Sequence, residues 1–209
     1  MTAIPKKFYT PEEYLERELE ADYKSEYLNG EIFPMGDFEG DTPEAMAGAR
    51  SRHNAIRENL SGEAYGLLKK KGGGCRSFSA DQRIHIPRTG LYTYPDFLIV
   101  CGKPAYLNDT SDTLTNPVLI AEVLSKRTAS YDRAEKFAHY RSIPTLREYL
   151  ILDSRRVGVE LWRKNQSGFW TLVAETDQPD QELYLESVGA SVPLADLYAN
   201  VDDLPPVLF

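Results

Sequence analysis

Apolar residues recur along the chain with two periods, near 3.6 and near 2, and the changes between them mark the elements. Thr10-Pro11-Glu12-Glu13 opens a helical stretch. Thr10 suits the cap, Pro11 the first turn, and Glu13 completes a capping box, which predicts a helix to about Asp22. From Glu26 to Phe33, the pair Asn29-Gly30 stands between β-prone residues, the strongest short-range signal for a tight hairpin. A Gly- and acid-rich loop follows. From about Glu44 to Lys71, Ile56, Leu60, Ala64, Leu67 and Leu68 carry helical spacing, and three lysines and three glycines close the helix.

The middle of the chain reads β-β-β-α-β. Strands are expected over Cys75 to Ile86, Thr93 to Cys101 and Pro117 to Leu124, then a helix from about Thr128 to Ser142 and a strand from Leu146 to Asp153. Further strands are expected near Val157 to Arg163, Phe169 to Ala174 and Glu182 to Leu185, with a short helix over Pro193 to Tyr198. Trp162 and Trp170 fit the packing of a C-terminal hairpin. No repeat, linker or low-complexity segment interrupts this order. A length of 209 residues fits one domain with one core. Within it, the N-terminal helix and hairpin span about 10–36, a core about 44–153, and the C-terminal strands about 157–187 before the short helix.

A hydrophobic fraction of 42% without an apolar run long enough to span a bilayer predicts a soluble protein with no membrane contact. Lys6 and Lys7 are not followed by an apolar segment, so no signal peptide or lipid anchor is indicated and a cytoplasmic location is expected. Cys75 and Cys101, the only cysteines, lack zinc-ligand spacing and are expected as reduced, buried thiols. The formal net charge of -8 argues against a dedicated DNA-binding module, because Lys and Arg contacts to phosphate supply most non-specific affinity. It is less damaging to a metal-dependent nuclease, whose site must itself be acidic.

Two acids stand where nothing local excuses them. Pro117 to Leu124 is an almost continuous apolar run, the mark of a strand buried on both faces, and Glu122 lies inside it. Asp96 begins another apolar stretch, Phe97 to Val100. An unpaired buried ion costs on the order of several kcal/mol, so each carboxyl needs a cation, a basic partner or a proton. Acids on neighbouring core strands suggest a metal, and Mg²⁺ takes hard oxygen ligands and can activate water for phosphodiester hydrolysis. The plainer alternative is a strand-end Asp96 and a core salt bridge at Glu122.

The spacing Pro95-Asp96, then Glu122-Val123-Leu124-Ser125, then Asp132, Lys136 and Tyr140 on a helix resembles the Uma-two family, a branch of the PD-(D/E)XK nuclease superfamily. The likeness runs from Ser25 to Ile32 through His53, Tyr94 to Asp96 and Glu122 to Ser125 as far as Glu148 to Leu150. It implies an α/β fold with a restriction-endonuclease-like core, a central mixed β-sheet flanked by helices. It also implies Asp96, Glu122 and the Val123 carbonyl as ligands for Mg²⁺ or Mn²⁺, DNA as substrate, and a homodimer. The superfamily's lysine would fall at Leu124, so its role passes to Lys136, which shares a helix face with Asp132 and Tyr140 at i, i+4 and i+8. Glu26 matches the position of a further N-terminal acid in that superfamily.

Each of these has a bland counterpart. Asp132 and Lys136 also read as an exposed helix pair, and Glu26 as an exposed residue at the head of the hairpin. Gln82 or Asp81 could face the site; strand alternation alone does not choose. His53, inside a helical pattern, reads as a surface or packing histidine, and His85 and His139 are isolated. Arg76, Arg83, Arg88, Lys126, Arg127 and Arg133 offer a basic rim for a phosphate backbone, or scattered surface charge. No GxGxxG, P-loop or GxSxG is present. Two rivals to a DNA endonuclease remain: a restriction fold that binds or assembles without cutting, which Leu124 favours, and a phosphodiesterase acting on RNA or small nucleotides.

Overall fold

The computed structural model describes residues 7–35, 43–107, 112–202 and 204, the side chains of 43–50 excepted. The Gly- and acid-rich loop before the long helix lies outside the described residues. The first helix, α1 (Pro11–Glu20), starts at the expected capping box: Thr10 Oγ1 accepts from the Glu13 N–H at 3.2 Å, and Glu13 accepts from the Thr10 N–H at 2.7 Å. Strands β1 (Ser25–Leu28) and β2 (Glu31–Pro34) form the hairpin, with Asn29 and Gly30 both at positive φ as a tight two-residue turn demands. Helix α2 spans Pro43–Lys71.

Two of the expected strands come out differently. The stretch from Cys75 divides into β3 (Cys75–Ser79) and β4 (Arg83–Ile86), and the one from Thr93 to Cys101 is a strand only over β6 (Phe97–Cys101), Thr93 instead ending a separate strand, β5 (Leu91–Thr93). Alternation is blind to this, because the pieces stay extended yet join different sheets. The short β7 (Thr113–Leu114) was not expected, β8 is Leu119–Leu124 and β9 is Glu148–Asp153. Between β8 and β9 runs a helix in three parts: α3 (Ala129–Tyr131), a π-helical turn (Asp132–Lys136) and α4 (Phe137–Tyr140). The chain ends with β10 (Val159–Lys164), β11 (Trp170–Thr176), β12 (Glu182–Leu185), the unexpected β13 (Ala190–Pro193) and α5 (Leu194–Leu197).

The central sheet is six-stranded, in the order β11-β10-β9-β8-β6-β3, and it is mixed: β8 and β9 are parallel, the other pairs antiparallel. Strand β8 is buried along its whole length, as its sequence implied. Its alternate residues serve different cores. Leu119, Ala121 and Val123 meet Ile56, Leu60 and Ala64 of α2 and Leu194 and Leu197 of α5, while Ile120 and Leu124 meet Phe137 and Tyr140 of α4. Phe137 also packs on Trp162 and Trp170 of the C-terminal hairpin.

A second sheet, five-stranded in the order β2-β1-β5-β4-β7, takes in the N-terminal hairpin. The hairpin joins that sheet through Tyr27 of β1, which pairs with Tyr92 of β5. Cys75 and Cys101 depart from the expectation of free thiols. The antiparallel register of β3 and β6 sets them directly opposite, and they are joined in a disulfide.

Candidate active site at the strand ends

Asp96 stands just ahead of β6, where Pro95 lacks the N–H that would extend the ladder to β8. The Asp96 carboxylate takes over that pairing: Oδ2 accepts from the Val123 N–H at 2.9 Å. The register that pairs Phe97 with Ala121 leaves Asp96 beside Glu122, and the Asp96 N–H reaches Glu122 Oε2 at 3.3 Å. His53 of α2 adds a second contact, its Nε2 lying 3.1 Å from Asp96 Oδ2.

By strand alternation Glu122 projects from β8 toward the β8–β9 crossover helix, where it is 3% exposed. Its Oε1 accepts from the Tyr140 hydroxyl at 2.6 Å and lies 3.0 Å from Lys136 Nζ. Lys136, from the π turn, is equally buried and sits 3.4 Å from Glu26 Oε1 and 3.7 Å from Asp132 Oδ1. Glu26 is held in turn by the hydroxyl of Thr93, which donates to Oε1, and of Tyr131, which donates to Oε2 at 2.8 Å. The bland readings of Glu26 and of the Asp132–Lys136 pair both required exposure, and all three residues are buried.

The charges follow from this crowding. Burial pushes the Glu122 carboxyl up to about 8, against the pull of the Lys136 ammonium, and Asp132 and Asp96 push the same way. Burial also raises Asp96, but His53, the Val123 N–H and Lys136 outweigh it and leave Asp96 below the usual carboxylate range. Burial lowers Lys136, but Glu122, Tyr140, Glu26 and Asp132 outweigh it and hold its proton well above the ordinary lysine range. Burial lowers His53, and Asp96 more than reverses this, so its imidazole is readier to carry charge. One ammonium thus neutralises part of a cluster that is otherwise acidic, and the remaining negative charge is what a cation would complete.

A family described as "Uma2: Putative restriction endonuclease" matches residues 11–195. The chain belongs to the Uma2 family. Two uncharacterized proteins of Synechocystis sp. resemble it: sll1609 is 37% identical over 174 residues, 82% of this chain and 90% of that one, and slr1290 is 34% identical over 194 residues, 92% of each. A crystal structure of "a putative nuclease belonging to DUF820" from Anabaena variabilis superposes with a TM-score of 0.67 at 17% identity, covering 91% of this chain and 97% of that one. The fold is restriction-endonuclease-like, with the mixed sheet and flanking helices that the family implies.

Within this Uma2 protein the structure brings together Glu26, Asp96, Glu122 and Lys136 and leaves other candidates outside. Gln82 donates to the Arg83 and Asp112 carbonyls, and Asp81 is an exposed partner of Lys24, so neither is held at the carboxylates. Arg83 is buried against Thr113 and Tyr94 and offers no rim. His85 stacks on Tyr92.

His53, read from sequence as a helix-surface or packing residue, proves to be a partner of Asp96. Nothing in the residue pattern pointed to Thr93 or Tyr131. Tyr131 lies five residues before Lys136, a spacing that a π turn brings to one side and a 3.6 period does not. No described helix is long and apolar enough to cross a membrane.

Proposed function

We propose that this protein is a Mg²⁺-dependent endonuclease that hydrolyses DNA phosphodiester bonds, with Mn²⁺ as an alternative metal. The observation that carries the reading is a buried lysine 3.0 Å from a buried strand glutamate that adjoins a second carboxylate, just ahead of the neighbouring strand. Asp96, Glu122 and the Val123 carbonyl would hold the metal. Among the described residues no three acidic, His or Cys side chains form a ready-made metal cage. An all-oxygen pair of carboxylates fits Mg²⁺, which is commonly held by one or two carboxylates with water and substrate phosphate completing its shell. Bound there, the ion supplies Lewis-acid stabilisation of the phosphoryl group and an acidified water.

The chain's own groups do the rest. Val123 N–H and His53 both engage Asp96 Oδ2, which would fix the carboxylate that holds the ion. Tyr140 and Lys136 both engage Glu122 Oε1 and orient it likewise. Lys136 holds the attacking water and balances charge developing on phosphorus. Glu26, saturated by Thr93, Tyr131 and Lys136, anchors the ammonium. A non-cutting restriction fold drew its support from Leu124 at the usual lysine position and from the net charge of -8. Leu124 is a core residue, and Lys136 brings an ammonium to the glutamate from the neighbouring helix.

Glu122→Ala is expected to abolish Mg²⁺-dependent cleavage of duplex DNA while the circular dichroism spectrum stays native. Lys136→Ala should keep metal binding and lose about 10²- to 10⁴-fold in rate. Unchanged cleavage by the Glu122 variant would sink the assignment. Cutting both strands of a duplex calls for two sites, so the reading includes a twofold homodimer, which light scattering in the presence of substrate tests.

A further inference from the structure

From the arrangement of cations around the strand ends we infer that the edge carrying the β8–α3 and β9–β10 loops is a docking surface for the phosphate backbone of duplex DNA. The inference rests on the nuclease reading above and locates its substrate. Because β8 and β9 are parallel, they end side by side, with Leu124 opposite Asp153. Ser154 ties the two ends together: its N–H and hydroxyl both donate to the Leu124 carbonyl, at 3.1 and 2.7 Å. Lys126 and Arg127 follow one strand, Arg155 and Arg156 the other, and Arg133 projects from the first turns of the crossover helix.

The first loop is a fixed one. The Ser125 hydroxyl accepts from the N–H groups of Arg127 and Thr128, and the Thr128 hydroxyl accepts from the Ser125 N–H. Arg155 is spent on a two-pronged contact to Asp153, and Arg133 on Glu160. Lys126, Arg127 and Arg156 are exposed, Arg156 by 69% even though it lies 3.8 Å from Asp153. In a chain of net charge -8, cations gathered on the edge where Glu122 and Asp96 lie give phosphate a local place to land.

The shape of the patch argues for paired DNA. Single strands are held by aromatic platforms as well as charge. The exposed aromatics described, Phe8, Tyr23, Phe33, Tyr65, Phe169 and Tyr184, belong to neither loop. A cleft of about 310 Å³ is lined by Arg133 and Arg156 together with Asp153, Glu160, Glu175 and Asp177, and these acids bound the surface on that side.

The test is binding of a fluorescent random-sequence duplex without divalent metal, over a series of salt concentrations. The full chain is compared with a Lys126→Ala, Arg127→Ala, Arg156→Ala variant and with a Lys69→Ala, Lys70→Ala, Lys103→Ala control. The control residues lie near the ends of α2 and β6, on the far edge. Arg155 is left in place so that buried Asp153 keeps its partner. The first variant is expected to bind at least about tenfold more weakly, with a salt slope smaller by about three, while the control matches the parent.

Equal binding by both variants overturns the surface without touching the nuclease reading, which cleavage by the parent and its Glu122 variant decides separately. Absence of duplex binding by the parent, or tighter binding of single-stranded DNA or RNA of equal length, also overturns it.

Discussion

Glu122 is a carboxyl that folding makes readier to hold a proton. Burial pushes it up to about 8, so near neutral pH the metal-free protein gives up that proton less easily than an ordinary carboxyl would. The sign of the linkage follows. A folded pKa above the unfolded value of 4.5 stabilises the fold fully below that value, and this contribution is lost as pH rises through about 8. A divalent ion needs the carboxylate, so binding must expel the proton. Calorimetry in buffers of different ionisation heat should therefore show close to one proton released at about pH 6.5 and almost none at about pH 9.5. Release that does not vary with pH would show that Glu122 is ionised before the metal arrives. Asp96 and Glu122 were legible in the sequence because an acid in an apolar strand is an anomaly that needs a cause. His53 was not: a helical pattern tells which face a residue occupies, not which strand end that face will reach.

The hairpin between β1 and β2 shows what is legible at the scale of an element. Asn29-Gly30 named its own turn, and the turn matters for the site because β1 carries Glu26 to Lys136. Gly30 has φ +88°, and a Cβ there would come within 2.8 Å of Phe8 Cδ1. Gly30→Ala should accordingly cost about 1–3 kcal/mol, read as a fall in the urea midpoint at constant slope. An unchanged midpoint would mean that the turn relaxes without disturbing the strand pair. Where sequence reading failed, it failed on context of the same kind. Ser79 pairs in one sheet and Arg83 in the other, and the turn at 80–82 between them leaves little mark on the alternation of polar and apolar residues. The π turn was also invisible, although the family likeness, with Leu124 at the usual lysine position, had turned attention to Lys136 on the helix face it shares with Asp132. The i, i+4 spacing placed the two acidic and basic groups together; it did not show that Tyr131 would swing round to Glu26 as well.

At the scale of the whole molecule, the candidate site is assembled from segments far apart in the chain: His53 from α2, Glu26 from β1, Asp96 ahead of β6, Glu122 from β8 and Lys136 from the crossover helix. None of these segments contains a metal site alone, so an ion bound there has no counterpart in the unfolded chain. A ligand that binds only the folded state must raise its stability, by about 2.7 kcal/mol at a concentration of 100 times Kd. Mg²⁺ is thus expected to raise the melting temperature progressively, and by the same argument the rise should vanish in Glu122→Ala and Asp96→Ala. His53→Ala separates two roles that the geometry allows. If His53 only fills space, the variant melts lower but keeps the full metal-dependent rise. If it holds Asp96 in its ligating orientation, the rise itself shrinks, and His53→Gln, which offers an N–H in a similar place, recovers part of it. A metal-dependent rise that is the same in the parent and all four variants would place the ion elsewhere on an acidic surface and remove the metal from this site.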